Sequence, residues 1–164
     1  MRLSKLTLIY GLYIIISASF IQQVWRFLEG ITGLDNLVAA VFLFFFALAA
    51  LFLKDSIKHR FGLLRTIICM GLILLICRFA LNLRIDVEKL HVFEYALLGW
   101  LATRDLRRQK GPVKSLILAI IFVTLISFID EGFQKILPYR VGQVRDAVIN
   151  IKSGFMGILL FLCG

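Results

Sequence analysis

One histidine, five carboxylic acids and three arginines crowd into two short stretches of this chain. The first is Glu88-Lys89-Leu90-His91-Val92-Phe93-Glu94-Tyr95, with Arg84 just ahead of it. The second is Asp130-Glu131, followed by Gln134, Pro138, Arg140, Arg145, Asp146 and Asn150. These residue types suit acid–base chemistry on an anionic substrate. His91 is the natural proton carrier, because only its unperturbed pKa lies near neutrality. Glu94 or Asp130 would orient it or share its proton, with Glu131 beside them. The planar, forked donors of Arg140 and Arg145 would hold a phosphate or carboxylate. Arg84, Glu88, Tyr95, Gln134, Asp146 and Asn150 complete the candidate substrate-binding set. A divalent ion on His91, Asp130 and Glu131 is a variant of the same idea. One histidine with carboxylates is a weak metal signature, so no metal is assigned and no cofactor is named.

The elements that must position these groups are apolar helices. Of 164 residues, 60% are apolar and 18% charged, and the mean hydropathy is +0.92, outside the range of ordinary soluble domains. A hydrocarbon core about 30 Å thick takes roughly 20 mostly apolar residues per helix. The sequence offers six such spans, approximately Leu6 to Trp25, Leu37 to Leu53, Thr66 to Leu83, Val87 to Thr103, Val113 to Ile129 and Ala147 to Gly164. The connections between them are short. The expectation is therefore an all-α, polytopic bundle of about six transmembrane helices, a single membrane domain over residues 1–164. The first span lacks a small-residue cleavage site after it and reads as a retained helix. The second carries no polar side chain and should meet lipid over much of its surface.

Charged residues at membrane depth are costly, so they face a bundle interior and mark a site. The apolar run from Leu90 to Thr103 is too short to cross unless the polar residues before it enter the membrane as well. At 100° per residue, Arg84, Glu88, His91, Glu94 and Tyr95 share one face, while Lys89, Phe93 and Trp100 point away. Leu98 and Ala102 continue the face as packing. In the last span, Asp146, Asn150 and Gly154 recur every four residues, with Gly157 close by. A polar head thus runs into a groove of small residues where another backbone, that of the fourth span, can approach closely.

The net charge of +9 is set by topology. With the N-terminus inside, the inner segments hold eleven cations against Asp55 and Asp105, an excess of +9, while the outer half holds eight of each sign. Short loops obey this asymmetry when the basic side is cytoplasmic. Both termini are thus expected inside, with both polar clusters toward the outer leaflet of the plasma membrane. Membrane lipid is the expected surroundings, and nucleic acid is not an expected partner. Cys69, Cys77 and Cys163 lie in apolar runs without metal-ligand spacing and read as small packing residues.

Taken together, Glu88-Lys89-x-His91-x-x-Glu94-Tyr95-x-x-Leu98, Asp130-Glu131-x-x-Gln134, Pro138-x-Arg140, Arg145-Asp146-x-x-x-Asn150 and Gly154 resemble the VanZ-like family of membrane proteins. The resemblance covers about residues 84–157. Glu88 and Lys89 stand in a slightly shifted register relative to the Asp-Lys pair that some members carry. The resemblance implies a multi-pass plasma-membrane protein, linked through the founding member to resistance to the glycopeptide teicoplanin. It brings no settled reaction.

Three readings of the clusters stand side by side. An enzyme would act on a lipid-linked or amphiphilic cell-envelope molecule at the outer interface. A binder would hold a lipid head group or amphiphile in a groove of Arg84, Glu94, Gln134 and Arg140. A closed network of ion pairs would simply pin the last three helices together. A transporter is disfavoured, since neither an inverted repeat nor a pair of broken helices is visible in the sequence. Oligomeric state is not legible.

Overall fold

The computed structural model describes residues 3–33, 39, 43, 63–83, 86–137 and 143–163. Among them are six helices and no strand. These are α1 (Lys5–Ser17), α2 (Ile21–Thr32), α3 (Leu63–Leu81), α4 (Asp86–Arg107), α5 (Pro112–Ile136) and α6 (Val144–Cys163). The second predicted span, Leu37 to Leu53, lies almost wholly outside the described residues.

Three helices, α3, α5 and α6, are long and apolar enough to cross a membrane, and α1 with α2 makes a fourth if the bent pair is one span. The first predicted span, Leu6 to Trp25, is not continuous. It breaks after Ser17 and resumes at Ile21, with α1 and α2 inclined at 71°. The sequence gives little warning, because neither glycine nor proline sits at the break.

Local chemistry explains the helix ends. Ser4 caps α1, its hydroxyl accepting the Thr7 N–H at 3.3 Å, which satisfies one of the orphan donors at a helix start. Pro112 opens α5 at a position where its missing N–H costs nothing. Leu137 is extended, as the residue before a proline prefers to be. The fifth span therefore runs further than its apolar stretch, carrying Asp130, Glu131 and Gln134 within the helix.

α4 does not qualify as a span by polarity, yet it is the centre of the bundle. It packs against α1, α2, α3, α5 and α6, most extensively against α6. Val92, Tyr95, Leu98, Ala102 and Leu106 are buried along it. Phe93, which turns away from the polar face, is buried with Ile76, Ala80 and Ile149 against α3 and α6. The other helices turn large apolar side chains outward, among them Leu64, Ile67 and Leu74 on α3 and Ile121, Leu125 and Phe128 on α5. This distribution of apolar surface suits lipid on the outside and polar groups within.

Backbone contact fixes the α4–α6 pair. A Cβ added at Gly157 would collide with the Ala96 carbonyl, and one at Gly99 with the carbonyl of Gly154. Ser127 on α5 closes the third side by donating to the Ala147 carbonyl of α6 at 3.2 Å. Small residues here let polar backbones meet, a common way of joining helices where lipid removes the hydrophobic drive.

Candidate functional site

The polar cluster is assembled from one end of three helices: the first turns of α4, the last two turns of α5 and the first two of α6. On α5, Ser115, Ala119, Val123, Ser127, Asp130, Glu131 and Gln134 form the buried stripe, a spacing near four that keeps them on one face. The acids at its end therefore turn inward onto α4 and α6.

Asp130 is fully buried. Its two carboxylate oxygens accept separately from the Tyr95 hydroxyl at 2.9 Å and the Gln134 amide at 3.0 Å. Glu131 faces the other way, accepting the Gln143 backbone N–H at 3.1 Å and the Asn150 amide at 3.5 Å. It thereby ties α5 to the approach to α6 and to its second turn. On α4, His91 Nδ1 lies 3.0 Å from a Glu94 carboxylate oxygen, one turn on. The imidazole also meets the Tyr95 ring edge-on, with centroids 6.4 Å apart. At the rim, the Arg145 guanidinium straddles Glu88 with two N–H groups at 3.3 and 3.4 Å. That side chain is 54% exposed.

The charges converge beyond these contacts. His91 lies within electrostatic reach of Glu88, Asp130 and Glu131, and Asp146, in the first turn of α6, repels both Glu88 and Glu131. Four carboxyl groups thus lie within reach of one imidazole, with Asp146 beside two of them. A histidine and a tyrosine enclosed among carboxyl groups are groups able to pass protons between them.

Of the twelve candidate residues, ten are brought to this end of the bundle: Glu88, His91, Glu94, Tyr95, Asp130, Glu131, Gln134, Arg145, Asp146 and Asn150. Arg84 and Arg140 lie outside the described residues, as does Pro138. The metal variant finds no geometric support. No three His, Cys, Asp or Glu side chains among the described residues converge closely enough to hold an ion. Asp130 and Glu131 are consecutive on the helix but spend their oxygens on different partners.

Two features escaped the sequence reading. Tyr10 of α1 packs with Ile14, Tyr95 and Leu98 and lies within electrostatic reach of Glu94, so the first helix walls the site although it carries no motif. At the opposite end of α4, Asp105 is 4% exposed rather than a solvated loop charge. It accepts the Ser4 N–H at 2.9 Å and the Thr7 hydroxyl at 2.5 Å, with Arg104 at 3.1 Å. Burial raises its pKa, but the hydrogen bonds from Ser4, Thr7 and Arg104 outweigh that and hold it at about 2. Only the return of α1 along α4 creates this clasp, and no local pattern signals it.

No protein-family model matches the chain, and neither a curated protein nor a solved structure matches it.

Proposed function

We propose that this chain is a VanZ-like, six-span protein of the plasma membrane with both termini cytoplasmic, its polar cluster lying toward the outer leaflet. There it acts on a lipid-linked or amphiphilic cell-envelope molecule, a role related to teicoplanin-type glycopeptide resistance. The observation that carries the reading is the convergence of His91, Glu94, Tyr95 and Asp130 in one buried polar cluster, His91 beside Glu94 and Tyr95 donating to Asp130, with an arginine at its rim. In this reading His91 moves the proton, Glu94 orients the imidazole, and the Tyr95–Asp130–Gln134 chain holds the opposite wall. Arg145 exchanges part of its hold on Glu88 for an anionic group of the incoming molecule. Half-exposed ion pairs are worth little, so that exchange costs little.

A second reading rests on burial. Every acid from Glu88 to Glu131 in the cluster is less than 9% exposed, which also suits a closed network that pins α4, α5 and α6 without a ligand. Native mass spectrometry of protein released from its own membranes separates the two. An amphiphile that accompanies the wild type and is lost in Arg145→Ala, with thermal stability unchanged, supports a ligand site. If neither protein carries an adduct and Glu94→Gln melts well below the wild type, the network reading replaces it. Cells carrying His91→Gln would then separate chemistry from binding. Loss of teicoplanin protection with the adduct retained supports proton transfer at His91.

A further inference from the structure

We propose that α2 is an interfacial helix, lying flat at the head-group boundary of the leaflet nearest the polar cluster, with a phospholipid monolayer covering its exposed apolar face. The inference stands on the geometry of α1 and α2 and does not require chemistry at His91.

The faces of α2 are sharply divided. At 100° per residue, Phe20, Val24, Phe27, Leu28 and Ile31 form one side, while Gln22, Gln23, Arg26 and Glu29 form the other. The apolar side is turned away from the protein, with Phe27 68% and Ile31 67% exposed. Trp25 is the buried side chain of α2, and the helix packs on α4. A helix with one apolar and one polar face, neither of them long enough to be a span, is the kind that settles in the interface.

The depth follows from where α1 starts. Its first turn is clasped to Asp105 at one end of α4, while Ile14 lies with Tyr95 and Leu98. α1 thus runs antiparallel to α4 and ends at the level of His91 and Glu94. Its 13 residues rise about 20 Å, short of the roughly 30 Å of hydrocarbon. The 12 residues of α2, inclined at 71°, add only about 6 Å along that axis. With the short break, the pair reaches the head-group boundary and stops there. The outward apolar side chains of α1, Ile9, Leu12 and Ile16 among them, lead without interruption to Phe20, so the lipid that meets α1 also meets α2. Arg26 and Glu29 balance each other, which predicts no preference for anionic lipid.

The test is spin labelling of the full chain in vesicles of phosphatidylcholine, with and without phosphatidylglycerol. Labels go on Gln23→Cys, Val24→Cys, Phe27→Cys and Ile31→Cys after Cys69, Cys77 and Cys163 are replaced by alanine. Collisions with oxygen and with a polar nickel chelate report depth. The expected result is one shallow depth for positions 24, 27 and 31, nickel-chelate access at position 23, and the same values in both lipids. A depth that changes by about 1.5 Å per residue along the helix would mean that α2 crosses, and overturns the proposal. Exclusion of both reagents from 24, 27 and 31 would mean that protein covers the face, and overturns it equally. Quenching of Phe27→Trp by brominated lipids, read against the wild-type signal, repeats the test without replacing any cysteine. Strongest quenching by bromines near the head group is expected, and strongest quenching by those near the bilayer centre overturns the proposal.

Discussion

Two aspartates show how differently one residue type is used here. Asp130 is held by Tyr95 and Gln134 inside the cluster. In Tyr95→Phe the buried oxygen loses its donor from α4, which costs about 1–3 kcal/mol. A thermal melt in detergent should drop accordingly, while Tyr13→Phe, on a side chain 45% exposed, should leave it unmoved. Asp105 sits at the other end with its pKa lowered from 3.8 to about 2. A depressed folded pKa means stability that is present above the unfolded value and lost as pH falls through the folded one. The clasp should therefore hold fully above about pH 4 and fade between about 4 and 2. Its contribution is about 2 kcal/mol at the pKa difference involved. In Asp105→Asn the melting temperature should be lower at neutral pH, and the wild-type loss between pH 4 and 2 should shrink. An unchanged acid limb would remove Asp105 as its cause.

At the scale of elements, the contact between α4 and α6 is set by glycine. Gly157→Ala places a Cβ on the Ala96 carbonyl, and Gly99→Ala places one on Gly154. The helices must part, and overpacking of this kind costs about 1–3 kcal/mol. Gly132, within α5, has nothing within 4 Å of an added Cβ. Gly132→Ala should stabilise the helix by up to about 1 kcal/mol through its higher propensity. Melting the three variants side by side checks both signs, and equal behaviour would show that the α4–α6 approach is looser than drawn. The buried stripe of α5 belongs to this scale too. Ser115, Ala119, Val123 and Ser127 look like unremarkable members of an apolar span, yet they are the face that carries Asp130 and Glu131 inward.

For the whole molecule, the most polar of the long helices sits at the middle and the apolar ones around it. That order reverses the layout of a soluble protein, and it follows from the solvent. Lipid cannot satisfy the carboxylates or the imidazole, so α4 must be wrapped by neighbours. The excess of positive charge on one set of segments makes a prediction at this scale. If both termini are cytoplasmic, as proposed, an alkaline phosphatase inserted within 138–142 should be active in the periplasm or outside the cell. A fluorescent protein fused after Cys163 should fold in the cytoplasm. The opposite pattern would invert the orientation and move the polar cluster to the inner leaflet.

The sequence by itself determined an all-helical chain with spans suited to lipid, the polar face of α4, and the glycine face of α6. Each of these follows from composition or from a repeat of three or four residues along one helix, and such patterns are local. What the tertiary structure decided depends on partners far apart in the chain. Tyr95 takes Asp130 across 35 positions, Ser4 and Thr7 reach Asp105 across about a hundred, and Glu131 turns from its neighbour toward Gln143 and Asn150. The break between α1 and α2 belongs with these. An apolar run of about 20 residues fixes how much hydrocarbon a segment can meet. It does not fix the direction in which the segment travels, which the packing of α1 and α2 on α4 decides.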